Sequence, residues 1–122
     1  MSTDKILHLL SNQRRRYTIE YLGSHGPTNF PDLVDRVAAR ELDTNPESVS
    51  GQERNRVRVS LYQTHLDALR DNHVIEFERK SGLIHPGPGL DRLLAVLDRV
   101  YGRDRGWLER TLHSMESAMA AL

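Results

Sequence analysis

Apolar residues at helical spacing dominate the first third of the chain and predict its opening elements. Helices are expected over 4–10 and 12–22. Ser11 is the expected N-cap of the second helix, and Gly23 is the residue expected to end it. A third helix is expected over 31–42, because its apolar positions fall on one helical face. Those positions are Leu33, Val34, Val37 and Ala38.

Ser50 and Glu53 form the most specific local signal in the sequence, the Ser-x-x-Glu pattern of a helix capping box. The pattern predicts a helix that begins after Ser50 and runs to about Asp71, with Asn72 as a left-handed residue at its end. One face of this helix is apolar and the opposite face is polar, as expected for a helix that packs on a core.

A predicted hairpin follows this helix directly. Residues 74–79 and 83–85 are expected to form two short strands, and a stub of strand is expected over 28–30. A helix that leads into a two-stranded hairpin is typical of the recognition helix and wing of a winged helix-turn-helix. We therefore predict an α+β, mainly helical fold, with a winged helix-turn-helix DNA-binding domain over residues 1–86.

The remainder of the chain, residues 87–122, predicts a helical dimerisation segment behind a Pro-Gly linker at 86–89. Its apolar residues repeat at intervals of seven, the spacing of a coiled-coil seam, and Gly102 and Gly106 interrupt the repeat. The expected architecture is thus a winged helix-turn-helix with a C-terminal dimerisation helix, assembled as a homodimer. The candidate dimer contacts are Leu94, Leu97, Tyr101, Leu108, Leu112, Met115 and Met119.

The charge of the whole chain does not indicate a partner, because 17 basic and 17 acidic side chains cancel. The distribution is uneven, since residues 52–66 carry three arginines against Glu53 while residues 27–50 are acidic. Arginine outnumbers lysine by 15 to 2. This bias is common in GC-rich genomes and in extreme halophiles, so a halophilic source is expected.

Several functional classes are disfavoured by what the sequence lacks. Without cysteine there are no disulfides and no thiolate metal sites. No apolar run approaches the roughly 18 residues of a membrane span, and the start lacks a signal-peptide core, so a cytoplasmic protein without membrane contact is expected. The six histidines show no ligand spacing, and His65 is expected to be a satisfied core residue. We predict no cofactor, no metal and no enzyme.

The polar face of the helix after Ser50 carries the candidate base contacts, because only the first turns of a recognition helix reach base edges. Arginine pairs with guanine, and glutamine or asparagine pairs with adenine. The alternative is a solvated helix face without function, which the adjoining hairpin makes the less favoured interpretation. The candidates are Gln52, Arg54, Asn55, Arg56, Ser60 and Gln63.

A second basic cluster lies at the predicted hairpin tip. Arg79 and Lys80 can reach phosphates or a narrow minor groove from there. Charge also protects ordinary strand edges, so this signal is weak when taken alone.

A third basic cluster, made of Arg14, Arg15 and Arg16, begins the second helix, where cations do not favour the helix dipole. We expect these arginines to contact the DNA backbone. The alternatives are surface solubility or an ion pair with one of the acids of 32–35.

Two stretches of the sequence resemble a known family. The segments 10–17 (LSNQRRRY) and 61–69 (LYQTHLDAL) are similar to haloarchaeal winged-helix transcription regulators related to the PadR-like group, over about residues 6–86. The resemblance implies a homodimer joined through terminal helices. It also implies one recognition helix per subunit in the major groove of double-stranded DNA, with the wing at the minor groove. The competing hypothesis is a winged-helix protein-interaction module that does not bind DNA.

Overall fold

The computed structural model describes residues 1–101, which form a mainly helical α+β fold with one small antiparallel sheet. None of the helices in this part of the chain is long and apolar enough to cross a membrane. The helix that starts at Gly51 continues to Asp71 through a π-helical segment. In chain order the elements are α1 (Thr3–Leu10), α2 (Gln13–His25), β1 (Thr28–Asn29), α3 (Phe30–Glu41), a 3₁₀ turn (Pro46–Ser48), α4 (Gly51–Ser60), the π segment (Leu61–His65), α5 (Leu66–Asp71), β2 (Ile75–Glu78), β3 (Leu83–Pro86) and α6 (Leu90–Tyr101).

The residues predicted to begin and end α2 are both wrong. Asn12, not Ser11, is the N-cap, since its side chain accepts two of the first backbone N–H groups of the helix. The helix continues through Gly23 and ends at Gly26, whose φ of 86° favours glycine. Gly23 instead lies under the side chain of Leu94, where a Cβ atom would clash. Packing against α6 therefore accounts for the glycine that resembled a helix terminator.

The prediction for α3 is confirmed to within one residue at each end. Asn29 caps the helix by accepting the backbone N–H of Asp32, and all four predicted apolar positions are buried. The predicted strand stub is also confirmed as the two-residue β1. The local sequence pattern was sufficient to predict α3, because this helix turns one continuous apolar stripe toward the core.

The capping box at the start of α4 is confirmed. The Ser50 hydroxyl accepts the N–H of Glu53, and the Glu53 carboxylate accepts the N–H of Ser50. The predicted left-handed residue is wrong by one position, because His73 has the positive φ (60°). Asn72 keeps a negative φ, and its amide donates to the carbonyl of Ala68.

The sheet has the order β1-β3-β2, with all pairs antiparallel, so the predicted hairpin is present and β3 is its central strand. Ile84 is fully buried and pairs with Thr28 on one side and Phe77 on the other. Along β2, Ile75 and Phe77 face the core while the alternate residues are exposed. The sheet thereby closes the side of the core that the helices leave open.

Residues 87–89 do not form a free linker, contrary to the prediction. The N–H of Gly87 donates to the carbonyl of Val74 (2.9 Å), and the N–H of Gly89 donates to that of His73 (2.8 Å). A side chain at Gly87 would collide with the same backbone, so this close approach requires glycine. The helix α6 therefore starts from a fixed anchor.

The first part of the predicted dimer seam packs inside the chain itself. Leu97 is fully buried, as is Leu93, in the core that α6 shares with α1 and α2. Leu97 thus serves the core of its own chain, in place of the predicted dimer contact. Leu94 and Tyr101 are half-buried against the same core. The remaining candidates, Leu108, Leu112, Met115 and Met119, lie outside the described residues.

Candidate nucleic-acid interface

The first turns of α4 carry an exposed polar surface, formed by Gln52, Asn55 and Arg56, which we name the α4 outer face. These residues are one helical turn apart, so they project from the same side of α4. On the opposite side, Val57 is buried in the core, and α4 packs against α3. The capping box and this packing hold the first turns of α4 rigidly while their polar side chains stay in solvent.

Arg56 differs from most arginines in the described part of the chain, because within residues 1–101 it makes no ion pair and no side-chain hydrogen bond. An unpaired, exposed guanidinium retains all five N–H donors for a planar acceptor. Of the predicted base contacts, Arg56 is therefore the residue best prepared to bind a partner.

Arg54 forms an ion pair with Asp35 of the same chain. Its Nε lies 2.5 Å from Oδ1 of Asp35 on α3, and one amino group lies 3.4 Å from the carbonyl of Pro46. This ion pair braces α3 against the start of α4. A DNA contact from Arg54 would have to compete with it.

Arg58 was not among the predicted contacts, yet it is exposed on α4 and donates to Oδ1 of Asn55 at 2.6 Å. The three-residue spacing between them is the signal that could have found this pair, since such residues are neighbours on a helix surface. Arg58 thus extends the basic character of the α4 outer face and orients one of its amides.

The π segment changes the direction in which later residues of the helix project. The N–H of Leu66 donates to the carbonyl of Leu61, five residues back, so the turn is wider than an α-helical turn. Ser60 precedes this turn and is half-buried, whereas Gln63 lies within it and is exposed. Regular α-helical geometry had grouped both with Arg56, and the π segment breaks that regular spacing.

His65, at the end of the π segment, confirms the prediction of a satisfied core histidine. It is 7% exposed, and its Nδ1 lies 3.1 Å from an amino group of Arg15. Burial, followed by the nearby charges of Arg15 and Arg14, lowers the pKa of His65 to about 4. The ring is therefore neutral and accepts a hydrogen bond from Arg15.

Arg15 is not available to DNA, contrary to the prediction. Its side chain is buried, and burial lowers its pKa. Besides His65, it donates to the carbonyls of Leu9 (2.8 Å) and His8 (2.9 Å) at the end of α1. Carbonyls in the last turn of a helix lack partners within the helix, and that of His8 also accepts from Ser11. Arg15 is therefore a buried connector between α1, α2 and the π segment.

The other two arginines of that cluster are also engaged within the chain. Arg14 forms a two-pronged ion pair with Glu41, with distances of 3.1 and 3.0 Å. Arg16 donates to the carbonyl of Leu10 and lies 4.5 Å from the ring centre of Tyr101. A contact of either arginine with the DNA backbone would have to compete with these partners. The acid that pairs is Glu41, outside the 32–35 segment considered for it.

The hairpin separates the two residues predicted at its tip. Arg79 folds back onto the helix, where hydrogen bonds with Tyr62 and then Asp67 raise its pKa. Lys80 is exposed and makes no ion pair within the described part of the chain. The hairpin also exposes Glu76 and Glu78, so the positive charge it offers to solvent is concentrated at Lys80.

Among residues 1–101 no group of three or more histidine, aspartate or glutamate side chains could hold a metal ion.

Comparison with known proteins identifies the family. The model for a domain of unknown function, DUF7344, matches residues 7–85. The chain belongs to this family. No curated protein and no solved structure matches the chain. The matched region of this DUF7344 protein runs from α1 to β3 and includes both the α4 outer face and Lys80.

Proposed function

We propose that this DUF7344 protein is a sequence-specific, DNA-binding transcription regulator of the winged helix-turn-helix class that acts as a homodimer. In this proposal α3 and α4 are the two helices of the motif, and the β2–β3 hairpin is the wing. The observation that carries it is the α4 outer face. A capped, rigidly packed helix presents Gln52, Asn55 and an unpaired Arg56 to solvent at its first turns.

The chemistry of this face suits the major groove. Arg56 can donate two parallel hydrogen bonds to a guanine, while the amides of Gln52 and Asn55 can pair with adenine. Lys80 on the wing then serves a phosphate or the minor groove. The resemblance to PadR-like haloarchaeal regulators that was noted in the sequence implies the same arrangement.

The charges available for phosphates are few, which shapes how the protein would bind. Arg56, Arg58 and Lys80 are the exposed cations of α4 and the hairpin that make no ion pair in the described residues. With Arg56 on a base, Arg58 and Lys80 can each neutralise one phosphate, so log Kd should change with log salt by a slope of about 2 per subunit. Such a weak salt dependence means that specificity rests on base contacts rather than on bulk attraction.

The experiment is selection of bound sequences from a random duplex library, followed by titration of the winning site and of a scrambled site. Wild type is compared with Arg56→Ala and with Arg92→Ala, an exposed arginine of α6 away from the α4 outer face. Loss of discrimination in Arg56→Ala alone supports the proposal. Failure of the wild type to enrich any sequence contradicts it.

The homodimer is tested by truncation. A chain ending at Gly89 would expose the core that α6 covers, so we choose a chain ending at Tyr101, which keeps α6. This chain should be monomeric by light scattering, while the full chain is dimeric. Insertion of 5 bp between half-sites should abolish tight binding by the full chain, because it turns one half-site to the opposite face of the DNA.

A second function, a protein-interaction module, is favoured by one observation. Glu76 and Glu78 expose two carboxylates on β2, which would repel phosphates. A basic protein surface would then be the partner. Binding to a basic protein that weakens as salt is raised, with no retention of any duplex, would support this alternative.

A further inference from the structure

The position of Arg79 links the hairpin to the long helix. One of its amino groups binds the carboxylate of Asp67 on α5, and the same group lies 3.5 Å from the carbonyl of Tyr62 in the π segment. The guanidinium centre is 4.3 Å from the ring centre of Tyr62 and 5.5 Å from that of Phe77. Arg79 thus contacts residues on both sides of the junction between helix and hairpin.

Three aromatic rings form the floor beneath this guanidinium. Phe30, at the start of α3, lies 5.6 Å from the ring of Tyr62 and 6.1 Å from that of Phe77, and the Tyr62 and Phe77 rings are 6.4 Å apart. Tyr62 remains 40% exposed even with the Arg79 guanidinium over its ring. A planar guanidinium can stack on a ring while it binds a carboxylate at its edge, whereas an ammonium group cannot reproduce that combination.

We propose that Arg79 is a positioning residue that clamps the hairpin to the long helix and so sets where Lys80 meets DNA. This inference rests on the proposed function for its effect on DNA, but the clamp itself does not. It assigns Arg79 a role different from the phosphate contact that its place in the sequence suggests. A phosphate could bind this guanidinium only in competition with Asp67 and with the stacking on Tyr62.

A substitution of Asp67 gives the sharpest test, because a phosphate contact and a clamp predict opposite changes in DNA affinity. If Arg79 binds phosphate directly, Asp67→Asn removes a competing negative charge and should tighten DNA binding. If Arg79 is a clamp, the same change releases the hairpin and should weaken binding to the selected site by about three- to tenfold. Asp71→Asn is the matched control, since Asp71 is exposed, interacts with Arg70, and makes no contact with Arg79.

Arg79→Lys separates charge from geometry. Lysine keeps the positive charge that a phosphate contact needs but loses the planar stacking and the forked donors of the clamp. The clamp predicts a weakening similar to that of Asp67→Asn. A phosphate contact predicts affinity near that of wild type, which would overturn the proposal.

A readout without DNA keeps the two proposals distinguishable. Amide hydrogen exchange across residues 75–86 of the free protein should become about three- to tenfold faster in Asp67→Asn and in Arg79→Lys. It should stay unchanged in Asp71→Asn, with the thermal midpoint of all three variants near that of wild type. Unchanged exchange in both test variants overturns the clamp whatever happens with DNA. Failure of the wild type to bind any duplex overturns the proposed function, while the exchange data still decide whether the clamp exists.

Discussion

The two arginine-rich helix starts of this protein use the same side chain in opposite ways. At the start of α2, Arg14 and Arg15 are committed to the chain's own carboxylate, carbonyls and imidazole. At the start of α4, Arg56 is exposed and has no partner in the described residues. The difference lies in what surrounds each guanidinium. α2 starts beside the end of α1 and beside Glu41, whereas among residues 1–101 the outward side of α4 meets only solvent.

This contrast explains why a run of three consecutive arginines was a misleading signal. Helical spacing separates adjacent residues by about 100°, so three neighbours must point in three directions. In α2 those directions are toward Glu41, toward the buried His65 and toward Tyr101. Arginines grouped in sequence therefore need not form one basic surface.

The largest expected effect comes from breaking the buried member of the first cluster. Arg15→Met keeps an apolar stem but leaves the carbonyl of Leu9 and the imidazole of His65 without this donor, while the carbonyl of His8 keeps only its bonds from Ser11. The free energy of unfolding should fall by about 2–4 kcal/mol. Urea denaturation measures it, with Arg92→Ala as a control expected within about 0.5 kcal/mol of wild type. A similarly small loss for Arg15→Met would contradict the connector role.

The next largest effect is a dependence of folding stability on pH, which arises from His65 beside Arg15. Because the folded state favours the neutral ring, the unfolded chain takes up the proton first as the pH falls. Stability should be fully present above about pH 6.5 and should decline toward pH 4. The decline is at most about 3 kcal/mol, and solvent screening reduces it.

The measurement compares wild type with His65→Gln, which keeps a polar acceptor for Arg15 but does not titrate. The difference between their urea midpoints from pH 7 to pH 4 isolates the contribution of His65 from that of the carboxylates. Parallel curves for the two proteins across this range would show that the ring does not respond as its burial requires.

At the start of α4, a substitution should affect DNA binding and leave stability unchanged. Arg56→Ala should leave unfolding within about 0.5 kcal/mol of wild type and weaken binding to the selected site by about 1–3 kcal/mol. The loss should be largest at one base position. Fluorescence anisotropy on the selected and single-base variant sites measures both quantities. Equal losses on selected and random DNA would assign Arg56 to the backbone instead.

The smallest expected effect is the loss of stability on substitution of Arg14 in α2. Arg14→Gln removes a partly exposed ion pair with Glu41, so stability should fall by only about 0.2–1 kcal/mol. DNA affinity should not change, because Arg14 is engaged away from the α4 outer face. A clear loss of DNA affinity at unchanged stability would return Arg14 to the list of DNA contacts.

Several features of this protein could be predicted from the sequence because their causes are local. The capping box at Ser50 needs only residues three positions apart, and the buried face of α3 needs only a helical repeat of apolar residues. The hairpin follows from short alternating segments around a turn. The placement of Gln52 and Arg56 on the exposed side of α4 followed from the same helical geometry.

Other features were decided only by contacts between distant segments. Arg15 is buried because His65, 50 residues later, and the end of α1 converge on it. Gly23 is fixed by Leu94, and Gly87 by the backbone after α5. Sequence patterns fix which face of an element is apolar, since that depends on neighbours within a turn. Which polar group finds an internal partner depends on how the elements pack, because a hydrogen bond or ion pair forms only where tertiary structure brings donor and acceptor within about 3 Å.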